Sequence, residues 1–340
     1  MSKRSSVRSL RILVIVFPIL TGVFATIYGL YLYNSTQIFY HEDRPIPPGF
    51  LVFSSMELSS VNLSIQIMNL NFEQGRSDKA AMICDFDLAS SLTDDQTIGL
   101  QIPYVLEQII ASEFDFQVSK SEILREIPPP TDGAKQTEIT VVYFRFKPNQ
   151  AVTHYSFNVF FNWSGFVWKT DYAEYKLVIP FARDERALHS SIGSILQNAK
   201  IRYITQSESD HASVLVNAEA KVKEAFPMPE SVMGLHGYTA QMLTWELSHR
   251  GGIIGKEVAP SLDEVVAYFE ISSEAEQRNS YLYGAGIFTG LGVSLLFSGI
   301  YEALKTLEES RKARQAPAVH DRSSTFCARL FPFLSLAVSR

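Results

Sequence analysis

The chain has 340 residues, a formal net charge of −6, 46% hydrophobic and 19% charged residues, and only two cysteines. The charged share lies below the ~25% of an average soluble domain. The acidic balance argues against a nucleic-acid binder, and two cysteines exclude a disulfide-stapled scaffold. Length allows about two domains.

The missing charges are concentrated near the two ends. Ile12 to Tyr33 is a run of 22 residues without a charge. As a helix rising ~1.5 Å per residue it is long enough to cross a ~30 Å hydrocarbon core. Lipid offers no partner to backbone N–H and C=O groups, so a helix is the expected form. Pro18 falls in its first turns and is expected to kink it locally. The alternative is a cleaved signal peptide, with Lys3, Arg4, Arg8 and Arg11 as its basic region and Val23-Phe24-Ala25 as its cleavage site. The apolar run continues past that site through Ile27, Leu30 and Leu32, which favours an uncleaved anchor.

The middle of the chain reads as β-structure. Between 154 and 163, Tyr155, Phe157, Val159, Phe161 and Trp163 alternate with Ser156, Asn158, Phe160 and Asn162, the period of two of a half-buried strand. Val61, Leu63, Ile65 and Ile67 form a second such face, and Ala80, Met82, Cys84, Phe86 and Leu88 a third. Weaker strands are expected at Ile139 to Phe146, Tyr175 to Phe181, Val214 to Ala218 and Val265 to Ile271. Turn signals separate them at Pro128 to Gly133, Pro227-Met228-Pro229 and Gly251-Gly252. Short helices are expected over Pro103 to Ser112 and after Asp184, where Leu188, Ile192, Ile195 and Leu196 share a face. The fold class expected is mainly β: an antiparallel sandwich of one or two lobes, with a sub-boundary near residue 198, flanked by two transmembrane helices.

Tyr281 to Tyr301 is the second uncharged run, of 21 residues. The expected organisation is thus a terminus over 1–11, a span over 12–33, a β-rich domain over 34–280, a span over 281–301 and a tail over 302–340. Residues 1–11 carry four basic and no acidic side chains, and 302–340 sum to +3, which leaves −13 for the middle. By the positive-inside rule both termini are expected in the cytoplasm, with the acidic domain outside a cell membrane. Tyr28, Tyr31, Tyr33, Tyr281 and Tyr283 would form the outer aromatic belt. Gly286, Gly290, Ser294 and Ser298 recur every four residues, and Gly284, Gly292 and Gly299 add small positions. Gly22, Ala25, Thr26 and Gly29 answer from the first segment. Small residues let helices approach closely in lipid, so these are candidate helix-packing residues, within one chain or between copies. No charge falls inside either span, which argues against an intramembrane proton relay.

Chemistry-bearing motifs are sparse. The sequence has no G-x-S-x-G, H-E-x-x-H or P-loop, and no G-x-G-x-x-G after a strand. Asp85-Phe86-Asp87 has the D-x-D form that holds a metal in some transferases, but on a strand both carboxylates fall on the solvent face. His236, Glu246 and His249 come closest to a metal cluster, but His236 and His249 are 13 apart, outside the i,i+4 spacing that puts two ligands on one helix face, so each reads as a lone surface or packed histidine. Trp163 and Trp168 form either a binding platform or core packing. Cys84 reads as a buried small hydrophobe, with a bridge to a second chain as the alternative. Cys327 falls on the other side of the membrane. Sequons stand at Asn34, Asn62 and Asn162; Asn62 and Asn162 are candidate glycan acceptors in a eukaryotic source. In the tail, Lys305, Arg311, Lys312 and Arg314 suit anionic lipid. Phe326 to Val338 is too short to span and reads as an interfacial segment, with Cys327 as an acylation site, or as a disordered end.

These readings leave no expected cofactor, metal or nucleic-acid partner. Three functional classes remain. The first is a non-enzymatic scaffold or adhesion protein that touches a protein or an envelope polymer. The second is a subunit of an oligomeric channel or transport complex, similar in topology to trimeric ligand-gated channels but without their cysteine-rich outer domain. The third is an enzyme whose site is assembled from distant loops. The absence of catalytic motifs ranks them in that order.

Overall fold

The structure is a computed structural model that describes residues 3–37, 49–91, 93–114, 121–126, 139–181, 202–205, 209–217, 219–234, 240–248, 253–254, 257–258 and 264–315. It is mostly β, with 54% of the described residues in strands, and it divides into two compact units. One is formed by residues 1–30 with 285–340, the other by residues 31–284.

Helix α1 spans Lys3–Thr36. Then come β1 (Leu51–Ser54), β2 (Leu58–Asn71), β3 (Arg76–Leu88), β4 (Gln96–Pro103), β5 (Val105–Phe114), β6 (Ser121–Glu126) and β7 (Ile139–Phe146). They are followed by β8 (His154–Ser164), β9 (Val167–Asp171), β10 (Glu174–Pro180), β11 (Tyr203–Thr205), β12 (Ser209–Asn217) and β13 (Ala220–Phe226). The last elements are β14 (Ser231–Gly234), β15 (Ala240–Ser248), β16 (Ile253–Ile254), β17 (Glu257–Val258), β18 (Glu264–Ile271) and α2 (Ser272–Gln315).

The strands form a seven-stranded sheet in the order β14-β15-β12-β2-β3-β8-β5, a five-stranded sheet β11-β1-β4-β7-β6, a four-stranded sheet β13-β18-β10-β9 and a small β16-β17 pair. Period-two alternation explains the centre of the largest sheet. Val61, Leu63 and Ile65 on β2 stand opposite Phe86, Cys84 and Met82 on β3. These in turn face Tyr155, Phe157 and Val159 on β8. All nine side chains are buried. The pairing departs from the antiparallel expectation at one ladder, where β12 runs parallel to β2. Strands from both sides of residue 198 therefore share sheets, since β1 also pairs with β11; residue 198 itself lies outside the described residues.

The inward faces of the three large sheets contribute to one apolar core. Ring contacts join them: Phe86 meets Phe146 at 6.0 Å and Phe157 meets Phe144 at 5.0 Å. Phe72, in the β2–β3 turn, meets Tyr175 at 5.4 Å and Phe269 at 5.1 Å. Trp163 lies at the centre, fully buried. It stacks on Phe166 at 4.1 Å and donates its indole N–H to the Pro103 carbonyl at 2.7 Å. It is thus core packing and not an exposed platform.

The expected helix over Pro103 to Ser112 is instead strand β5, an edge of the seven-stranded sheet. Its pairing with β8 slips twice, between Leu106 and Gln108 and between Ile109 and Ala111. The residues that pack on the core therefore recur at Leu106, Ile109 and Phe114. Bulges stretch the period beyond two, and the result imitates a helix face. Tyr104 alone separates β4 from β5, with a left-handed φ of 66° that turns the chain from one sheet into the next. Gly165 packs against the Tyr104 ring; a Cβ there would sit 3.2 Å from Tyr104 Cβ, and its own φ is +93°. The expected helix after Asp184, the turns at Pro128 to Gly133 and Gly251-Gly252, and the tail beyond Gln315 lie outside the described residues.

Both uncharged runs are helical and extend beyond the expected limits. The helical stretches Leu13–Thr36 and Ser272–Lys312 each hold a segment long and apolar enough, by length and composition, to cross a membrane. At 44 residues, α2 is about 66 Å long, so its charged ends continue the helix well past any apolar layer. One of those ends carries an i,i+4 pair, Glu308 with Lys312 at 2.7 Å.

Candidate functional site

Within the unit of residues 31–284, polar and charged side chains converge where the four-stranded sheet passes into α2. Strand β18 ends at Ile271 and α2 begins at Ser272, with no loop between them. The junction is tied on both sides: Ile271 N–H donates to the Ala173 carbonyl at 3.0 Å, and Ser272 N–H to the Glu219 carbonyl at 2.9 Å. An acidic residue in a first helical turn favours the positive end of the helix dipole, and Glu274 fills that role. Its carboxylate accepts from Lys169 Nζ at 2.6 Å and from the Tyr175 hydroxyl at 2.7 Å. The Lys169 ammonium also stands 5.3 Å from the Tyr172 ring centre and 5.2 Å from that of Tyr175, within cation–π range.

One turn along, Arg278 approaches Asp171, with Nη1 and Oδ2 3.6 Å apart. The Tyr281 ring meets Tyr172 edge-on at 6.3 Å. Burial, then the neighbouring Tyr281 and Glu274, pushes the Tyr172 phenol above its usual value. On the sheet, Lys223 pairs with Glu174 and, at 3.2 Å, with Glu270. Those carboxylates, Glu174 foremost, hold the lysine above its ordinary range. Lys176 lies 5.6 Å from the Trp168 ring and 5.8 Å from Tyr268. Trp168 is thereby placed in this collar.

A cavity of about 440 Å³ opens among these groups, between the end of α1 (Thr36, Gln37), the β9–β10 hairpin (Thr170, Asp171, Glu174), Tyr268 and α2 (Arg278, Leu282). It is within the ~300–1,000 Å³ of small-molecule sites. By sequence, Ser272 to Ser280 falls at the end of the expected β-rich domain over 34–280, and none of its residues was singled out. The available signal was Glu274 and Arg278, four residues apart on one helix face beside an apolar run.

Trp168 and Tyr281 apart, the residues singled out from sequence do not converge here. On α2, Gly286 and Gly290 have open space where a Cβ would be. Ser294 and Ser298 are exposed, and the Ser294 hydroxyl donates to the Gly290 carbonyl of its own helix. The contact within the chain uses a different stripe of α2, Ala285, Thr289, Gly292, Leu296 and Gly299, at alternating spacings of four and three. The reason is geometric: a stripe repeating every four residues drifts around a helix of 3.6 residues per turn, whereas a 3.5-residue seam stays facing an antiparallel partner. A Cβ on Gly22 would lie 2.7 Å from the Gly292 carbonyl oxygen, and one on Gly29 2.8 Å from Thr289 N. The segment-one residues Gly22 and Gly29 therefore do face this seam, with Tyr28 against Phe288 at 4.9 Å beside it.

On the β unit, Asn62 and Asn162 sit on outward faces of β2 and β8, both half-buried, with Asn62 opposite Asp85. Asp85 and Asp87 point outward as expected while Cys84 and Phe86 point in. Asp87 accepts from the Ser60 hydroxyl at 2.5 Å and contacts His154 Nδ1 at 2.9 Å; these hold its carboxyl below the usual range, Ser60 foremost. Cys84 is fully buried and free, and burial raises its thiol well above the ordinary value. That excludes a bridge to a second chain from the folded state. Glu246 is exposed and pairs in register with His211, while His236 and His249 lie outside the described residues. Among the described residues no group of three His, Cys, Asp or Glu side chains is placed to hold a metal.

No protein-family profile matches the chain and no curated protein is significantly similar to it. Among solved structures, it overlaps an M1 zinc metallopeptidase from Deinococcus radiodurans with a TM-score of 0.32 and 6% identity, over 69% of this chain and 44% of that one. A variant of an M1 zinc metallopeptidase from the same organism, bound to a Tyr-Ser-Ala substrate, overlaps with 0.32 and 7%, over 65% and 42%. A two-domain M1 variant bound to L-tryptophan gives 0.32 and 7%, over 66% and 44%. The chain thus spans less than half of these proteins, and overlap at this level assigns it neither fold nor function.

Proposed function

We propose that the chain is a two-pass membrane protein that presents an acidic β-sandwich outside the cytoplasm for contact with a protein or an envelope polymer, as a scaffold or adhesion module and not as an enzyme. In this reading the seven-stranded sheet forms one layer, the five- and four-stranded sheets form the other, and both termini are cytoplasmic. The partners are the bilayer and one outer macromolecule; no cofactor or nucleic acid takes part.

The observation that carries the membrane part is an inversion of burial in the helix unit. There the buried positions among the described residues are Gly22, Gly29, Ala285, Gly292 and Gly299, while Leu13, Phe17, Phe24, Leu291 and Phe297 are more than half exposed. In water that arrangement leaves large apolar surface unburied; in hydrocarbon it costs nothing, and close packing of small residues supplies the attraction. The charge pattern supports the orientation, with basic flanks and an acidic middle. The test is single-cysteine labelling in intact cells at Ser5, Ser207 and Ser310, in a background without Cys84 and Cys327. An impermeant thiol reagent should label position 207 alone. Labelling at 5 or 310, or at 207 only after permeabilisation, would overturn the topology.

A second reading, a subunit of an oligomeric channel or transport assembly, is favoured by one feature. The stripe Gly286, Gly290, Ser294 and Ser298 is left unused by the helix pair and is open along its glycines. In this reading it receives a span of a second copy, which crosslinking in native membranes tests.

A further inference from the structure

We propose that the cavity between the end of α1, the β9–β10 hairpin and the start of α2 binds the headgroup of a phospholipid with a primary ammonium, a phosphoethanolamine group. The inference rests on the membrane reading above and deepens it, because it names a ligand for a site that reading would put at the bilayer surface.

The argument begins with Arg278. Its side chain is about three-quarters buried, at 26% exposure, yet its ion pair to Asp171 spans 3.6 Å, beyond good hydrogen-bond length. Its Nε is buried with no hydrogen-bond partner among the described residues. That atom has no surface left for a ligand to touch, so a phosphate in the cavity would accept from the Nη groups of the guanidinium, in two parallel charged hydrogen bonds.

The rest of the wall selects among phosphates. Of the two carboxylates that line the cavity, Glu174 is paired with Lys223, and Asp171 stands beside Arg278, where it would repel a bare phosphate or an anionic headgroup. A zwitterion balances both signs. Its ammonium would lie toward Asp171, whose Oδ1 accepts from the Tyr172 N–H at 2.7 Å and whose Oδ2, among the described residues, has only the long contact to Arg278. Glu174 is already engaged by Lys223. A quaternary ammonium calls for a cage of several aromatic faces, and the cavity has one, Tyr268, which also faces Lys176. A primary ammonium, with three donors, suits carboxylate and hydroxyl acceptors such as Thr170. Leu282 lines the cavity near the start of the apolar run of α2 and gives it an apolar side that suits a lipid and that a free phosphomonoester does not need.

The experiment uses the full chain, purified in mild detergent and placed in nanodiscs of equal phosphatidylethanolamine, phosphatidylcholine and phosphatidylglycerol. Lipid retained on release is read by native mass spectrometry. The expected result is retention of phosphatidylethanolamine over both others, at one per chain. Arg278→Gln should lower that retention about tenfold. Leu282→Trp, which fills the cavity and leaves its charges in place, should do the same; it decides the matter if the arginine variant unfolds. Equal retention of the three lipids, or preference for phosphatidylglycerol, would overturn the proposal, as would variants that retain lipid like the wild type. Soluble phosphoethanolamine that displaces the lipid at equal concentration would overturn the lipid as ligand. Alkaline extraction of native membranes is run alongside. Release of the chain there would defeat the membrane reading itself, whereas resistance to extraction without ethanolamine preference defeats only the headgroup.

Discussion

The β unit and the helix unit of this chain bury opposite kinds of side chain. In the β unit the largest fully buried residues are Trp163, Trp245, Tyr155, Tyr175 and Phe86, and the outward face of β3 carries Asp85 and Asp87. Among the described residues of the helix unit, Gly22, Gly29, Ala285, Gly292 and Gly299 are buried, while Phe17, Phe24, Leu291 and Phe297 are exposed. One sequence thus contains two solutions to the same packing problem. Where water is the solvent, large apolar groups are driven inward. Where lipid is the proposed solvent, that drive is absent and contact depends on how closely two backbones approach.

The comparison can be broken most strongly in the β core. Trp163→Ala removes a fully buried ring and its hydrogen bond to Pro103, and should cost ~3–5 kcal/mol, read from the denaturation midpoint of the full chain in detergent. Next is an arginine on the exposed helix face. Phe24→Arg or Leu291→Arg should lower membrane insertion by ~2.5–3.5 kcal/mol, read from the glycosylated fraction in an insertion assay. A like change on the outer face of β8, Ser156→Arg, should leave insertion unchanged. Third, Gly292→Leu should separate the helix pair, because a Cβ there collides with Gly22 O at 2.6 Å and with the Thr26 hydroxyl. Gly286→Leu, which enters open space, should leave that pair intact. Cysteines at positions 25 and 289 report the difference as intrachain crosslinking yield.

The smallest effects are electrostatic. The Asp87 carboxyl is held low by Ser60 and His154, so its stabilising contribution is present above the usual carboxylate range and disappears as pH falls through the depressed value. At 41% exposure the contribution is small. Asp87→Asn should lower the midpoint slightly at neutral pH, and the gap to wild type should close in acid. Lys223 has the opposite sign. Its contribution is present below the usual lysine value and is lost as pH rises through the raised one, so Lys223→Met should narrow its deficit only in strong alkali.

Much of the fold was legible in the sequence because its signals are local. Alternation over 154–163 specifies one face of β8 from neighbouring residues alone, and the same holds for β2 and β3. Runs without charge mark helices by length and composition. What the sequence hid depends on contacts between distant segments. The slips in the β5–β8 ladder are set by the partner strand, and they changed the apparent period of β5 toward that of a helix. The parallel pairing of β12 with β2 depends on where a long connection returns. The helix seam was half visible: the small residues of α1 were found, but on α2 the every-four stripe drew attention from Gly292 and Gly299. The collar was hidden most completely. Lys169, Asp171, Glu274 and Arg278 come from segments about a hundred residues apart, and no spacing rule joins them.

The most direct test of the account is the solvent that the exposed helix face meets. Spin labels at positions 24 and 291, in a background without Cys84 and Cys327 in reconstituted vesicles, should be relaxed by oxygen, which concentrates in lipid. A water-soluble nickel chelate should leave them largely untouched, while a label at 156 on the β unit shows the reverse. Chelate access at 24 and 291 equal to that at 156 would contradict the account, because Phe24 and Leu291 would then face water.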